Sequence, residues 1–182
     1  AEAFVQRGYL TISPDYRCYA GSQWGPNPFY IGYAIDVLNL IASLPSLSYA
    51  DPSRVGIWGH SMGGGITIRV LAVSESLKVA SLYGSLTGDD EVHYCWLYGC
   101  KTPLVTPVSP SSKKMDEFDP EFFQGVATPD TSTDYRARLH EIFQKSSPIL
   151  NLKYMDTPVI IHHGEADDIV PLVWSVDLAT KL

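Results

Sequence analysis

The chain contains little cysteine, which excludes the small proteins that are held together by disulfides. Its 182 residues include three cysteines, too few for a disulfide framework, although Cys95 and Cys100 are close enough in the chain to pair. His93 lies near both, but the spacing matches no tetrahedral zinc pattern. We therefore predict no metal site and no cofactor, and we expect a structural use for these residues.

Basic residues are also scarce, and this bears on possible partners. The 13 lysines and arginines are outnumbered by 20 acidic residues, which gives a formal net charge of −7. The basic residues are scattered, with Lys113 and Lys114 forming the only adjacent pair. Nucleic-acid binding usually needs a cluster of basic residues. We therefore expect no nucleic-acid partner.

Long apolar runs are absent from the sequence as well. None reaches the roughly 20 residues that a membrane span needs. The first ten residues lack the charged start and the apolar stretch of a signal peptide. We therefore expect no membrane partner and favour a soluble, cytoplasmic protein. The sequence leaves the oligomeric state open.

What the sequence does contain is an alternation of strand-like and helix-like segments. Hydrophobic residues make up 45% of the chain, enough for one domain with a buried core. The segments with strand character are residues 8–14, 54–58, 78–83 and 157–162, and those with helix character are residues 29–44, 62–73, 134–145 and 171–182. This alternation predicts an α/β domain over residues 1–182, with a mostly parallel sheet covered by helices on both faces. Residues 85–133 differ in composition and are predicted to be an insertion or cap.

A nucleophile motif lies between the second predicted strand and its helix. Residues 59–63 read Gly-His-Ser-Met-Gly, a match to G-x-S-x-G in the strand-to-helix context that this motif requires. The motif predicts Ser61 as a nucleophile on a strained turn. It also predicts the backbone N–H of Met62, at the start of the helix, as an oxyanion donor. His60 is predicted to be structural, because adjacent side chains on a sharp turn point apart.

The glycines of this segment are expected to serve close packing. A tight turn has no room for a Cβ at Gly59 or Gly63, which predicts that side chains there would collide with neighbouring backbone. Gly64 and Gly65 are predicted to extend the same close packing along the helix.

A serine nucleophile needs a histidine base and a carboxylate that orients the histidine. The strand at residues 157–162 runs into a loop that carries Asp167 and Asp168. In open α/β sheets this carboxyl edge is where functional sites lie. We predict that Asp167 is the acid and points toward the space above Ser61, with room for an imidazole between them. Asp168 is predicted to face solvent or to cap the next helix.

Four segments together resemble the catalytic domain of the prolyl oligopeptidase family. They are Arg-Gly-Tyr at residues 7–9, Ser-Pro-Asp-Tyr-Arg at residues 13–17, the stretch at residues 51–64 and His-Gly-Glu-Ala-Asp-Asp-Ile-Val-Pro at residues 163–171. The resemblance implies an α/β-hydrolase fold and a serine peptidase that works through an acyl-enzyme. It also implies that Asp167 is the acid, because the family's acid is the first aspartate after His-Gly-x-x.

One departure from the family pattern keeps the substrate open. The family often carries Arg or Asn two residues after the acid, near the substrate, whereas this sequence has Ile169. The partner is accordingly expected to be a small peptide or an ester. A carboxylesterase of the same fold and a non-catalytic binding module with the hydrolase fold remain as alternatives.

The catalytic histidine is missing from the expected part of the sequence. In this fold the order along the chain is serine, acid, histidine, but all five histidines precede Asp167, namely His60, His93, His140, His162 and His163. The base is therefore expected beyond Leu182, and the second oxyanion donor before Ala1. This interpretation makes the fold incomplete at both ends and the 182-residue chain inactive by itself.

Overall fold

The computed structural model describes residues 2–98 and 133–182, and the side chains of residues 2–97 and 139–182. The strands are β1 (Val55–His60), β2 (Leu77–Tyr83) and β3 (Val159–His162). The helices are α1 (Glu2–Val5), α2 (Ile31–Ser43), α3 (Met62–Leu71), α4 (Asp90–Tyr98), α5 (Thr133–Ser146) and α6 (Leu172–Lys181). Short 3₁₀ segments occur at Pro28–Tyr30, Leu44–Ser46 and Pro148–Tyr154.

The sheet is parallel, with the strand order β1-β2-β3. β2 lies in the middle, and its pairing aligns the last residues of the three strands, since His60 is paired with Tyr83 and Tyr83 with His162. The three segments that follow these strands therefore leave the sheet side by side. In a parallel α/β sheet this carboxyl edge is where ligands bind.

One face of the sheet forms the core. Tyr33 and Val37 of α2 pack with Ile66 and Val70 of α3 in a single buried cluster that includes Ala80 of β2. A second cluster joins α3 and α6 to Leu82 of β2 through Ile68 and Leu178. These side chains are at most 8% exposed. The alternating apolar residues of β2 are thus buried beneath helices, as the sequence pattern predicts.

The opposite face of the sheet is uncovered in the described part of the chain. Trp58, Val79, Tyr83 and Ile160 lie on it and are between 41% and 54% exposed. We call these four residues the open face. Among the described residues, the helices α2, α3 and α6 all contribute to the clusters on the covered face of the sheet.

The strand predicted at residues 8–14 is wrong. The described chain has no regular secondary structure there, and Tyr9, Leu10 and Ile12 are exposed. A β-strand needs a neighbouring strand to satisfy its backbone hydrogen bonds. Among the described residues, the sheet ends at β1 and β3, and residues 8–14 pair with neither of them. The other predicted strands and helices are confirmed, with ends that differ by a few residues.

The helical stretch Pro28–Ser46 is long and apolar enough to cross a membrane, judged by length and composition alone. This stretch differs from the expectation that no apolar run reaches the length of a membrane span. In the fold, one side of its middle part α2 packs against the core through Tyr33, Ala34 and Val37, and 28% of the apolar window is buried.

An ion pair holds the loop before α2. The Arg17 side chain donates to both oxygens of Asp36, at 2.8 to 3.2 Å, and its backbone N–H donates to Asp36 Oδ2. Arg17 also donates to the carbonyl of Pro26. A Cβ on Gly32 would lie 2.9 Å from the Arg17 side chain and 2.6 Å from that carbonyl. The loop is therefore fixed to α2 by a charged, bidentate contact.

The segment after β2 packs into the domain. Ser85, Leu86, Asp90 and His93, within the predicted insertion at residues 85–133, are buried. α4 also contacts α6, where the rings of Trp96 and Trp174 meet edge to face at 5.4 Å. Residues 99–132, the larger part of the predicted insertion or cap, lie outside the described part of the chain.

The cysteines differ in state. Cys95 is disulfide-bonded, whereas Cys18 is a free, exposed thiol. Cys100, which is close enough in the chain to pair with Cys95, lies outside the described residues.

Candidate active site

Ser61 lies on a strained turn between β1 and α3. Its backbone angles are φ 53° and ψ −117°, a region that non-glycine residues rarely occupy. The predicted strain is confirmed. The turn is held on several sides, because the Ser61 N–H donates to the carbonyl of Tyr83 at 3.0 Å, while its own carbonyl accepts N–H groups from Gly64 and Leu86. Strain persists only where the surroundings fix it in this way.

The glycines around Ser61 have different roles. A Cβ on Gly59 would lie 2.3 Å from the carbonyl oxygen of Gly63, and one on Gly64 would lie 2.6 Å from the Cβ of Ser85. A Cβ on Gly65 would meet that of Leu86 at 3.1 Å. The predicted close packing is therefore confirmed at Gly59, Gly64 and Gly65. The prediction for Gly63 is wrong, because a Cβ there would meet nothing within 4 Å.

Alanine at Gly64 and at Gly63 should therefore have opposite consequences for stability. Gly64→Ala is expected to lower the free energy of unfolding by about 1–3 kcal/mol, because Ser85 must move. Gly63→Ala is expected to be neutral or to stabilise by up to about 1 kcal/mol, because alanine favours a helix. Urea denaturation of both variants measures the difference. Equal destabilisation would contradict the packing described here.

The N–H of Met62 is placed for an oxyanion. Met62 is the first residue of α3, and the first N–H groups of a helix have no acceptor within the helix. The helix dipole adds a partial positive charge at the same end. A negatively charged oxygen formed next to Ser61 would be favoured there.

Asp167 follows β3 and is oriented by its own loop. Its Oδ1 atom accepts the N–H groups of Ile169 and Val170, at 3.0 and 2.9 Å. These bonds, led by that from Val170, hold the pKa of the Asp167 carboxyl below its usual range, with smaller contributions from His163 and His60. The carboxylate is thus kept charged, and its Oδ2 atom lies 3.4 Å from the Nε2 atom of His163.

The Oδ2 atom of Asp167 lies above the end of β2. A Cβ on Gly84, the residue after β2, would be 3.2 Å from Asp167 Oδ2 and 4.0 Å from the Nε2 atom of His60. His60, Gly84 and Asp167 come directly from β1, β2 and the loop after β3. The structure therefore brings Asp167 to the same edge of the sheet as Ser61, which follows His60. Asp168 is exposed, as predicted.

His163 is a structural residue of this edge. Its Nε2–H donates to the carbonyl of Val170 at 2.9 Å, and its Nδ1 accepts from the hydroxyl of Ser175 on α6 at 2.7 Å. A carbonyl can only accept, so Nε2 carries the hydrogen of its contact with Val170, and we assign Nδ1 as the acceptor of the Ser175 hydroxyl. Nε2 also lies 3.4 Å from Asp167 Oδ2, and the side chain is 2% exposed. Both ring nitrogens are therefore engaged.

Two further histidines are engaged away from the site. His93 is buried among aromatic rings, and burial, aided by the charge of Arg69, lowers the pKa of His93 to about 4. His140 of α5 pairs with Glu91 of α4 at 2.9 Å. His60 and His162 remain, both exposed at the ends of β1 and β3.

Sequence reasoning missed two parts of this edge. Gly84 has φ 49°, and its missing side chain leaves room for the Asp167 carboxylate. The only signal of this in the sequence is a glycine directly after a strand. His163 was part of a motif, but its contact with Ser175 joins residues 12 positions apart on different elements. No group of three or more His, Cys, Asp or Glu residues that could hold a metal occurs in the described ranges.

Comparison with known proteins gives related sequences that share part of the chain. Residues of this chain are 38% identical over 74 positions to the quorum-quenching protein AidA of Acinetobacter baumannii, covering 40% of this chain and 24% of AidA. An uncharacterised 31.7 kDa protein of Escherichia coli is 25% identical over 128 residues, covering 69% of this chain and 45% of that protein. The chain thus spans less than half the length of these relatives.

Solved structures give the same fold at low identity. A puromycin-hydrolysing peptidase of Mycobacterium tuberculosis matches 85% of this chain and 20% of its own, at a TM-score of 0.57 and 19% identity. An acylaminoacyl peptidase of Pyrococcus horikoshii matches 86% of this chain and 22% of its own, at a TM-score of 0.57 and 20% identity. DcsB in complex with its substrate analogue matches all of this chain and 71% of its own, at a TM-score of 0.63 and 19% identity.

A family model then assigns the chain as a whole. The model described as the alpha/beta hydrolase family matches residues 2–180, which is nearly the full length. The predicted α/β-hydrolase fold, a parallel sheet flanked by helices, is confirmed by this match and by the structural likeness to DcsB. The chain belongs to the alpha/beta hydrolase family.

Proposed function

We propose that this chain forms the catalytic part of a serine hydrolase that works through an acyl-enzyme. Ser61 is the nucleophile, Asp167 the acid of its triad and the Met62 N–H an oxyanion donor. The observation that carries the proposal is the strained Ser61 backbone at the start of α3, with the charged Asp167 at the same edge of the sheet. Strain of this kind is characteristic of functional sites.

The proposed reaction proceeds in two halves. A histidine removes the Ser61 hydroxyl proton as Oγ attacks the substrate carbonyl, and Met62 N–H stabilises the oxyanion. The carbonyl re-forms as the bond to the leaving group breaks, and the histidine gives its proton to that group. Water, deprotonated by the same histidine, then attacks the acyl-enzyme and releases the acid and Ser61. Asp167 orients the imidazole throughout.

We further propose that the histidine base lies outside residues 1–182. Three of the five histidines are engaged elsewhere. His163 contacts Val170 and Ser175, His93 lies in a buried cluster of rings, and His140 pairs with Glu91. The other two, His60 and His162, lie on the side of the sheet that carries the open face, at the strand ends. The order serine, acid, histidine along the chain supports the same assignment.

For the substrate we propose a small peptide. Support comes from the prolyl oligopeptidase-like segments at residues 51–64 and 163–171, and from structural relatives described as peptidases. Membership of the prolyl oligopeptidase family is part of this proposal. An ester is the second candidate, since Ile169 stands where that family often carries a polar residue. Absence of nucleic-acid and membrane partners remains a prediction from composition.

Covalent labelling with a fluorophosphonate probe tests the nucleophile. In a longer form of the protein that includes the following histidine, the probe is expected to modify Ser61 rapidly, as identified by mass spectrometry. Residues 1–182 alone should react much more slowly, because losing one triad member removes most of the activity.

The matched variants for this test are Ser61→Ala and Ser85→Ala, since Ser85 is a buried serine near the start of α3. Labelling should disappear in the first variant and persist in the second. Labelling that survives Ser61→Ala would disprove the assignment of the nucleophile. Equal rates for the short and long forms would show that His60 or another residue of this chain serves as the base. A folded long form that never reacts would favour the binding module.

A further inference from the structure

The loop after β3 contains a closed ring of contacts that begins and ends at Asp167. Asp167 Oδ1 accepts the N–H of Val170 at 2.9 Å, and the carbonyl of Val170 accepts the Nε2–H of His163, also at 2.9 Å. The same Nε2 atom lies 3.4 Å from Asp167 Oδ2. His163 therefore contacts both the carboxylate and the residue whose N–H holds that carboxylate.

A serine of α6 anchors this ring of contacts to the rest of the domain. The Ser175 hydroxyl lies 2.7 Å from Nδ1 of His163, and its helix is packed into two hydrophobic clusters through Trp174 and Leu178. Ser175 is 6% exposed and the His163 side chain 2%. Hydrogen bonds between such buried groups are stronger than in water. Ser175 and Val170 thus set the orientation of the imidazole.

The two oxygens of Asp167 have different neighbours. The N–H groups of Ile169 and Val170 hold Oδ1, and this leaves the position of Oδ2 to the groups around it. The His163 ring borders Oδ2 by a contact, while its hydrogen bond goes to Val170. An ionised carboxylate oxygen has two lone pairs, so Oδ2 remains an acceptor for the N–H of a catalytic histidine.

We propose that His163 is a positioning residue for Asp167, and that Ser175 fixes its imidazole, so that α6 sets the direction in which Oδ2 meets the catalytic histidine. This inference rests on the proposed role of Asp167 as the acid. His163 exchanges no proton with Ser61 or with substrate, because both of its ring nitrogens are engaged. Its effect on the reaction is exerted through the orientation of Asp167.

The pKa of Asp167 reports on this arrangement. The Val170 N–H makes the largest contribution to holding that pKa below its usual range, and His163 holds the carbonyl of the same residue. Hydrogen bonds to the charged form favour it, so loss of the His163 N–H should raise the pKa of Asp167. The first turn of α6 carries no charged side chain. The other titratable groups near this edge are His60 and Tyr83 at the ends of β1 and β2, and Glu165 and Asp168 on the loop.

The test compares His163→Gln with His163→Met in the 182-residue chain. The terminal NH₂ of glutamine can donate a hydrogen bond near the place of Nε2, whereas methionine fills the space without a donor. Circular dichroism gives the pH range in which each variant keeps the native fold. Within that range, the pKa of Asp167 is read by NMR from ¹³C-labelled aspartate carboxyl groups.

The expected result is a raised Asp167 pKa in His163→Met and a smaller rise in His163→Gln. In a form of the protein that carries the proposed histidine base, His163→Met should lower kcat about tenfold with little change in KM, since a small displacement of a catalytic group costs this much or more. His163→Gln should restore part of the loss. A side chain that only filled space would give equal losses in the two variants.

Ser175→Ala tests the anchor on α6 and replaces the first comparison if the His163 variants do not fold. Its matched control is Thr180→Ala, because the Thr180 hydroxyl donates to the carbonyl of Val176 within the same helix. The Asp167 pKa should rise in Ser175→Ala and stay unchanged in Thr180→Ala.

Three outcomes overturn the inference: an unchanged Asp167 pKa in folded His163→Met, equal losses of kcat in His163→Met and His163→Gln, or equal effects of Ser175→Ala and Thr180→Ala. The NMR measurement requires neither the base nor Ser61. An unmoved pKa with intact labelling of Ser61 would therefore remove this inference alone, whereas failure of the labelling would remove the proposed function.

Discussion

Asp167→Asn is expected to lower kcat about 10⁴-fold in a form of the protein that carries the proposed histidine base, the loss seen when a triad carboxylate becomes an amide. The reason lies in the loop after β3. The N–H groups of Ile169 and Val170 donate to one oxygen of the side chain, so the amide of an asparagine must keep its oxygen there. Its NH₂ group would then replace Oδ2, and a donor would face the N–H of the catalytic imidazole. The imidazole would be driven to the wrong tautomer.

Asp168→Asn is the matched control. Asp168 is the next residue, carries the same charge and is exposed, so kcat should change by less than about twofold if the acid is Asp167. Turnover of p-nitrophenyl acetate and of a peptide amide would be measured for both variants, together with their unfolding midpoints. If Asp168→Asn caused the larger loss, Asp168 would be the acid.

A buried ion pair joins α3 to α4 and should have the largest effect on stability. Arg69 donates to Asp90, and the two side chains are 6% and 1% exposed. Arg69 also donates to the carbonyl of Gly65, and the Asp90 N–H donates to the hydroxyl of Ser147. Burial lowers the pKa of Arg69 and raises that of Asp90, so each depends on the other for its charge.

Arg69→Met is expected to lower the free energy of unfolding by about 3–5 kcal/mol, because it leaves an uncompensated buried carboxylate. The double variant Arg69→Met with Asp90→Leu should recover most of this loss, since apolar side chains of similar volume can replace a buried pair. Urea denaturation would be measured for the unchanged protein, Arg69→Met and the double variant. Lys145→Ala, which breaks an exposed pair with Glu141, should leave the midpoint unchanged. A double variant no more stable than Arg69→Met would contradict this account.

Local patterns predicted most of the fold. Three of the four predicted strands and all four predicted helices are present, because the spacing of apolar residues depends on which face of each element is buried, as in β2, where Ala80 and Leu82 point inward. Two further helices, α1 and α4, are not predicted from the sequence. Residues 8–14 had the same composition without the neighbouring strand that a sheet requires. Trp58 and Ile160 are apolar strand residues that are nevertheless exposed. An apolar side chain on a strand therefore does not by itself reveal whether another element covers it.

The candidate site was predictable where it is local. Ser61 and its strain follow from five consecutive residues, and Asp167 follows from its place after β3. The role of Gly63 was misjudged because close packing depends on what lies opposite: Gly64 faces Ser85, and Gly63 faces open space. The placement of Ser61 and Asp167 at one edge of the sheet depends on the pairing of β1 and β3 with β2, which the sequence does not state.

The fluorescence of Trp58 reports whether another segment or a partner covers the open face. Trp58 lies on this face and is 54% exposed, whereas Trp174 is 5% exposed inside the domain. Indole emission shifts to shorter wavelength when water is removed, so Trp58 would respond to a covering segment or partner, while Trp96 and Trp174, whose rings pack against each other, would give the background. With the exposed Trp24 replaced by phenylalanine, the accessibility of Trp58 to a quencher such as iodide would distinguish a bare sheet from a covered one without a label.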